Sequence, residues 1–155
     1  MQNPHGAFQL AGWIPAPTEA VYAYFSDPRH TQELQPFMRS VVVDKEEVAE
    51  GKRMIHFRSE EFVPMVGGLW KQKNAIEAQW HLTQPPYRME ATAYSKPDVH
   101  VHIHYTFAPT SEDNTYLTLD IQWRAPWIFR RLVPKKAAKA QQGVLDQLHN
   151  HFSKA

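Results

Sequence analysis

Residues 115–153, TYLTLDIQWRAPWIFRRLVPKKAAKAQQGVLDQLHNHFS, change their hydrophobic period once, at Ala125-Pro126. Before this point the apolar side chains alternate along the chain, as in a strand with one buried face: Leu117, Leu119, Ile121 and Trp123. After it they recur at helical spacing: Ala137, Ala140, Val144, Leu148 and Phe152. Pro134 suits the first turn of a helix, where its missing N–H is not needed. The stretch therefore predicts a strand and then a long helix over residues 134–153.

Towards the N-terminus, the sequence shows further stretches with the two-residue alternation of strands. Turn residues such as Gly51, Pro85-Pro86 and Lys96-Pro97-Asp98 separate them. The predicted strands are residues 8–14, a hairpin over 40–61, and then 70–82, 87–94 and 99–107. Two short helices are predicted after the first strand, one from Thr18 to just before Asp27-Pro28 and one over residues 30–37.

This order of elements favours an α+β fold in which an antiparallel sheet carries its helices on one face. At 1.5 Å per residue, a helix of about twenty residues is roughly 30 Å long, about the width of a small domain. We therefore predict that the terminal helix lies across the whole sheet. Single domains commonly hold about 100–200 residues, and no linker or repeat divides the chain, so one domain over residues 1–155 is expected.

The composition excludes several classes of protein. The chain has no cysteine, which excludes a disulfide framework and favours a reducing compartment, by default the cytoplasm. A net charge of +1 gives no general attraction to nucleic acid, so none is expected as a partner. The first residues lack the pattern of a targeting signal, and no apolar run reaches the ~18 residues of a membrane span. Neither feature is therefore expected.

Several short motifs occur together in one order. They are IPAPTEAVYAYFSDP at 14–28, PPYR at 85–88, YTFAP at 105–109 and LDIQWRAP at 119–126. Over nearly the whole chain they resemble the START-like superfamily, also called the polyketide cyclase/dehydrase and lipid transport group. The resemblance implies the helix-grip fold, in which a curved antiparallel sheet wraps around the C-terminal helix. It also implies a cavity between sheet and helix that accepts lipids, polyketides, sterols or other apolar compounds.

The residues themselves support such a cavity. Ala137 and Ala140 leave space near the start of the helix, whereas Leu148 and Phe152 close its far end. The alternative is a filled core in which the alanines allow close packing of helix on sheet. The side chains predicted to contact a ligand are Phe57, Trp70, Asn74, Ile76, Trp80, Met89, Tyr105, Trp123, Ala140, Val144 and Leu148.

We expect this cavity to bind or transport a small apolar ligand without a cofactor. The alternative is a cyclase or dehydrase that uses the same cavity, since holding a reactive chain and moving protons requires no recognisable motif. Motifs of hydrolases, metalloproteases and phosphate-binding loops do not occur in the sequence. The groups available for proton transfer would be His56, Arg58, Glu60, Asn74 and Tyr105.

Three histidines, His100, His102 and His104, share one face of the strand predicted over residues 99–107. Val101 and Ile103 form the natural inward set, so the histidines are expected to face solvent or a second subunit. Such imidazoles are able to bind zinc, copper or nickel, but a structural zinc site usually has four protein ligands. We therefore assign no metal cofactor, and a weak surface site or a pH-sensitive surface remains an alternative.

A basic cluster lies beside Trp127, Ile128 and Phe129 near the start of the last helix. We expect at most a weak membrane-surface contact through Arg130, Arg131, Lys135 and Lys136, the alternative being a solvated helix face. A third functional class is an adaptor like the coenzyme-Q-binding or ribosome-association branch of the superfamily. The apolar segment 62–70 is predicted to be a mobile lip over the cavity or a hairpin loop. The chain is expected to be a monomer or a homodimer.

Overall fold

The computed structural model describes residues 1–35, 38–65 and 70–154, and only the backbone of residues 62–65 and 70–72. The elements, in chain order, are β1 (Gly6–Ile14), α1 (Thr18–Phe25), α2 (Thr31–Leu34), β2 (Met38–Ala49), β3 (Lys52–Met65), β4 (Trp70–Gln84), β5 (Arg88–Ser95), β6 (Val99–Ser111), β7 (Asn114–Arg124) and α3 (Leu132–Ser153). Short 3-10 turns at Pro28–His30 and Trp127–Phe129 precede α2 and α3.

The seven strands form one sheet with the order β1-β7-β6-β5-β4-β3-β2. All neighbouring strands are antiparallel. The strands from β2 to β7 therefore follow one another as a meander, and β1 pairs with β7. This curved sheet, the long C-terminal helix and the short helices after β1 make the α+β helix-grip fold, which confirms the fold class predicted from the sequence.

Two helices differ in extent from the prediction. The helix predicted over residues 30–37 is the single turn Thr31–Leu34, and residues 36–37 lie outside the described residues. The last helix begins at Leu132, two residues earlier than predicted. Pro134 is then its third residue, where no intrahelical acceptor is lost because the first N–H groups of a helix have none.

The register of β6 and β7 places their inward-facing side chains opposite one another. Ile103 lies opposite Ile121, and Tyr105 lies opposite Leu119. All four side chains are buried in the main core. Full burial of an apolar side chain of this size contributes about 1.5–3 kcal/mol. The two-residue alternation read from the sequence therefore assigns this part of the core correctly.

The C-terminal half of α3 is packed tightly against β1. Leu145 and Leu148 are buried, and the side chain of Leu145 lies over Gly12, where an added Cβ would be 3.5 Å from it. His149 Nδ1 donates a hydrogen bond to the carbonyl oxygen of Trp13 at 2.8 Å. This half of the helix is thus held against the sheet.

Trp123 lies on the inward face of β7, near the end of the strand, and packs against the N-terminal residues. Its indole covers Gly6, since an added Cβ at this glycine would lie 2.6 Å from Trp123 Nε1. His5 meets the indole edge-on and accepts a hydrogen bond from the backbone N–H of Ala125 at 3.1 Å. Trp123, Ala125 and Val133 form a second, smaller core cluster.

Among the residues that the structure describes, no helix combines the length and the apolar character that crossing a membrane requires.

Candidate functional site

A cavity of about 290 Å³ lies between the inner faces of β3 to β6 and the first half of α3. Its volume is near the lower end of the range of ligand pockets, roughly 300–1,000 Å³. Most of the lining side chains are apolar. The exposed residues Lys73, Lys96, Pro97 and Leu132 also border it, so it opens to solvent where β5 turns into β6 and α3 begins.

Small side chains provide the space beneath the helix. Ala137 and Ala140 line the cavity, and Val144 bounds it one turn further along α3. Leu148 lies deeper in the packed core, and Phe152 packs against that core. The room therefore lies near the start of the helix, where the alanines were expected to leave it.

An aromatic cluster forms one end of the cavity. Phe25 reaches it from the end of α1 and stacks on Trp80, with ring centroids 5.5 Å apart. Phe57 meets Trp80 edge-on at 5.1 Å, and Tyr105 lies 4.8 Å from Phe25. The sequence prediction did not include Phe25, because only the tertiary position of α1 brings it to this place.

Most of the residues predicted to contact a ligand line this cavity: Phe57, Asn74, Ile76, Trp80, Tyr105, Ala140 and Val144. Three others are buried elsewhere and do not line it: Met89, Trp123 and Leu148. The side chain of Trp70, and the predicted lip at residues 62–70 apart from the backbone of its ends, lie outside the described residues. Contact with a ligand stays a prediction for the whole set.

The position of α1 explains why Met89 is not at the cavity. Met89 faces inward on β5, as its register with Tyr105 requires. At this end, however, α1 covers the sheet: the Tyr22 hydroxyl donates to the carbonyl oxygen of Arg88 at 2.9 Å, and its ring contacts Phe107. No space remains there, so Met89 is a core residue.

The polar end of the cavity is built around a buried carboxylate, Glu61. Only 9% of its side chain is exposed. Its Oε1 accepts hydrogen bonds from the ammonium of Lys136 and from Nδ2 of Asn74 at 3.2 Å. A buried charge is costly unless it is paired and hydrogen-bonded. Asn74 and Lys136 supply that compensation, and all three residues line the cavity.

Two hydroxyl groups also line the cavity, that of Ser59 beside Glu61 and that of Tyr105 at the aromatic end. Ser59 is 2% exposed, and its Oγ has no hydrogen-bond partner among the described residues. The hydroxyl of Tyr105 donates to Oε1 of Gln141 on α3 at 3.2 Å. Burial raises the pKa of the Tyr105 phenol above its ordinary value. The cavity thus offers a carboxylate, an ammonium and two hydroxyl groups.

The proton-transfer candidates His56, Arg58 and Glu60 do not reach the cavity. They lie on the opposite face of β3, where Arg58 pairs with Asp44 at 2.7 Å and Glu60 pairs with Lys73 at 3.1 Å. This is a correction of the sequence prediction, which took the even positions of the strand. The odd-numbered side chains of β3 face the cavity instead. The sequence could have shown this, because Ser59 and Glu61 continue the inward face on which Phe57 had been placed.

The histidines of β6 face away from the cavity, whereas Val101 and Ile103 line it. His100 Nε2 lies 2.8 Å from Oδ1 of Asp98. His102 and His104 stack on each other, with ring centroids 4.6 Å apart. Burial, and secondarily the neighbouring His104, lowers the pKa of His102, so this imidazole is neutral at neutral pH.

Exposed apolar side chains lie beside the mouth of the cavity. Trp127 is 79% exposed and Ile128 is 63% exposed, in the turn that leads into α3. Arg130 and Arg131 follow after Phe129 and are exposed as well. Lys136, predicted to belong to this basic surface, instead turns towards Glu61.

Comparisons with known proteins agree with this geometry. The model of the family described as polyketide cyclase / dehydrase and lipid transport matches residues 12–153. No match was found among curated proteins. A START superfamily protein from Mycobacterium smegmatis has a similar structure, with 12% identity, a TM-score of 0.74, and coverage of 96% of this chain and 97% of that one.

Two further solved structures are similar over their full length. The Zhui aromatase/cyclase from a Streptomyces species has 14% identity and a TM-score of 0.74, covering 96% of this chain and 94% of its own. A protein from Thermus thermophilus has 19% identity and a TM-score of 0.67, covering 97% and 100%. At such low identities the structural similarity establishes only the fold. The family model, in contrast, matches most of the sequence. The chain therefore belongs to the polyketide cyclase / dehydrase and lipid transport family.

Proposed function

We propose that the protein binds a small, mostly apolar molecule with one polar end in the cavity between the sheet and α3. The observation that carries this proposal is the polar wall of Ser59, Glu61 and Lys136 in a cavity whose lining is mostly apolar. Binding pockets combine an apolar lining with a few polar groups that fix the orientation of the ligand. Well-packed apolar side chains often stabilise a core as well as a buried ion pair does, so stability alone does not account for the Glu61 carboxylate.

The two ends of the cavity suggest how the ligand is oriented. Phe25, Phe57 and Trp80 provide aromatic surface for its apolar body. A buried hydroxyl without a partner costs about 1–3 kcal/mol, and the Ser59 hydroxyl would recover this by hydrogen bonding to the ligand. We therefore expect a hydroxyl, carbonyl or carboxyl group at the end of the molecule that faces Ser59 and Glu61.

Native mass spectrometry of freshly purified protein, followed by solvent extraction, tests this proposal. We expect a retained small molecule whose occupancy falls in Ser59→Ala, which removes the hydroxyl and changes the volume of the side chain very little. Titrations with a fatty acid, a sterol and a naphthol, followed by tryptophan fluorescence, provide a second measurement. The proposal is wrong if the wild type carries nothing and binds none of these three probes.

A cyclase or dehydrase activity in the same cavity is the second candidate. Two observations favour it: the Tyr105 hydroxyl lies at the cavity, and the Glu61 carboxylate lines the same cavity beside Lys136. These residues would move protons, in place of His56, Arg58 and Glu60. Turnover of a linear poly-β-ketone that is lost in Tyr105→Phe would support catalysis, whereas tight binding without turnover supports a carrier.

We further propose that the surface of Trp127, Ile128, Arg130 and Arg131 contacts an anionic membrane when the ligand is exchanged. Exposed aromatic and aliphatic side chains beside cationic ones suit the interface of such a bilayer. The surface adjoins the cavity mouth, where Leu132 belongs to both. We propose the cytoplasm as the compartment, because the chain has no cysteine.

Co-sedimentation with vesicles tests the membrane contact. The wild type should bind vesicles that contain phosphatidylserine more strongly than vesicles of phosphatidylcholine, and added salt should weaken this binding. Trp127→Ser and Arg131→Glu should each reduce it, whereas the distant Trp13→Ser should not. Binding that is absent, or indifferent to these changes, overturns the membrane contact; co-migration with ribosomes instead would favour the adaptor class.

A further inference from the structure

Three side chains with metal-binding atoms meet on the outer face of the sheet, opposite the cavity. Glu90 on β5 lies directly across from His104 on β6, and His104 Nδ1 is 3.1 Å from Oε1 of Glu90. His102 lies two residues before His104 on the same face of β6, and its ring is stacked on that of His104. One ligand atom from each of the three residues lies within 4.8 Å of the other two.

One atom of this cluster lacks a partner. Nε2 of His102 is buried and forms no hydrogen bond within the part of the chain that the structure describes. A buried polar atom of this kind calls for an explanation such as a bound ion or water. His100, on the same strand face, differs because its Nε2 is hydrogen-bonded to Asp98. The unpartnered nitrogen thus distinguishes His102 from its neighbour.

We propose that Glu90, His102 and His104 form a binding site for one divalent transition-metal ion of the Zn²⁺, Co²⁺ and Ni²⁺ class. Imidazole nitrogen and carboxylate oxygen suit these ions, which they approach at about 2.0–2.2 Å. Ligand atoms already gathered within 4.8 Å need only small side-chain rotations to reach such distances. Three protein ligands leave a fourth position for water or a further group.

His81 is placed to supply or support that fourth position. It lies directly across from Glu90 on β4, and its Nε2 is 2.8 Å from the side-chain amide of Gln79. With ligands from Glu90 on β5 and from His102 and His104 on β6, a bound ion would connect these two strands at the middle of the sheet. The site is separated from the cavity by the sheet itself, so it does not depend on the proposed function.

Calorimetry with ZnCl₂ on protein freed of any affinity tag tests the site. We expect one saturable site per chain, at least tenfold weaker binding in His102→Gln and in Glu90→Gln, and unchanged binding in the matched control His100→Gln. Bound Co²⁺ should give visible absorption in the wild type and in His100→Gln, and lose intensity in the other two variants.

Thermal unfolding in EDTA shows whether each variant is folded before metal is added. Glu90→Gln keeps the shape of the side chain and serves if His102→Gln does not fold. Added Zn²⁺ should raise the Tm of the wild type and of His100→Gln but not that of Glu90→Gln. The proposal is overturned if zinc does not bind, or if His100→Gln weakens binding as much as His102→Gln does.

Discussion

Glu61 on β3 and Lys136 on α3 form an ion pair at the cavity wall, although 75 positions separate them along the chain. The pair joins the first half of the helix to the sheet at the place where the cavity leaves few apolar contacts between them. The polar wall therefore has two roles. It offers hydrogen-bonding groups to a ligand, and it holds the helix over the cavity.

Replacement of Lys136 by Met should destabilise the fold, because it leaves the Glu61 carboxylate buried without its cation. Breaking a fully buried pair costs about 3–5 kcal/mol. Since 35% of the Lys136 side chain is exposed, solvent screens part of the interaction. We therefore expect the free energy of unfolding to fall by about 1–3 kcal/mol. Urea denaturation measures it.

The neighbouring Lys135 provides the control for this change. Its side chain is exposed, so Lys135→Met should alter the free energy of unfolding by no more than about 0.5 kcal/mol. Adding Glu61→Gln to Lys136→Met should restore most of the lost stability, since no buried charge then remains. Equal effects of Lys135→Met and Lys136→Met would contradict the role assigned to the pair.

Replacement of Ala140 by Leu should fill the cavity, because the added carbons extend from α3 into the space beneath it. We expect the fluorescent probe ANS, which has an aromatic body and an anionic end, to bind at least tenfold more weakly than to the wild type. The matched control is Ala138→Leu, since Ala138 is on the same helix but does not line the cavity.

Near-ultraviolet circular dichroism accompanies this measurement, because ANS also binds loosely packed proteins. Both variants should keep the spectrum of the wild type. If ANS binds equally well to the wild type and to Ala140→Leu, its site lies elsewhere.

Replacement of Gly6 by Ala should destabilise the fold, whereas the same change at Gly12 should not. A Cβ at Gly6 would lie 2.6 Å from the indole of Trp123, a buried side chain that cannot easily move, while a Cβ at Gly12 would be in ordinary contact with Leu145 at 3.5 Å. We expect Gly6→Ala to cost about 1–3 kcal/mol.

Gly12→Ala should be neutral or stabilise by up to about 1 kcal/mol, since it restricts the unfolded chain. Thermal unfolding followed by tryptophan fluorescence compares the two. Equal Tm values for both variants would mean that Trp123 moves aside without cost.

Replacement of Gly143 by Ala should stabilise the protein. Gly143 lies inside α3, and an added Cβ would meet nothing within 4 Å. Glycine in a helix interior is less favourable than alanine by about 0.5–1 kcal/mol, so the free energy of unfolding should rise by that amount. A decrease would indicate a close contact on this helix face with a second copy of the chain, which analytical ultracentrifugation would detect.

The sequence predicts the fold well because the signals are local. Alternation along β6 and β7, the change of period at Pro126, and Pro134 in the first turn of α3 are each visible within a few residues. Their order then leaves few ways to build a layered α+β domain.

The site is less predictable because it depends on where distant elements meet. Phe25 reaches the cavity, and Met89 is excluded from it, only because of how α1 packs on the sheet. Trp123 belongs to the core because β1 brings Gly6 beneath its indole. None of these relationships has a local signature in the sequence.

Two residues could have been found. Glu61 stands two positions after Ser59 on the inward face of β3, so strict alternation selects it in place of Glu60. Lys136 precedes Ala140 and Val144 by one and two turns, which places it on the cavity-facing stripe of α3. The sequence prediction instead assigned Lys136 to a basic surface, and it did not select Glu61.

On β6, successive residues alternate between the cavity wall and the outer histidine cluster, as Ile103 and Tyr105 do with His102 and His104. The two faces of the strand therefore carry unrelated groups of side chains, one lining the cavity and the other forming the histidine cluster. Inserting or deleting a single residue in it would exchange its two faces, putting imidazoles against the aromatic cluster and aliphatic groups beside Glu90. Evolution can therefore revise either side by substitution, but any change in the length of this strand alters both sides at once.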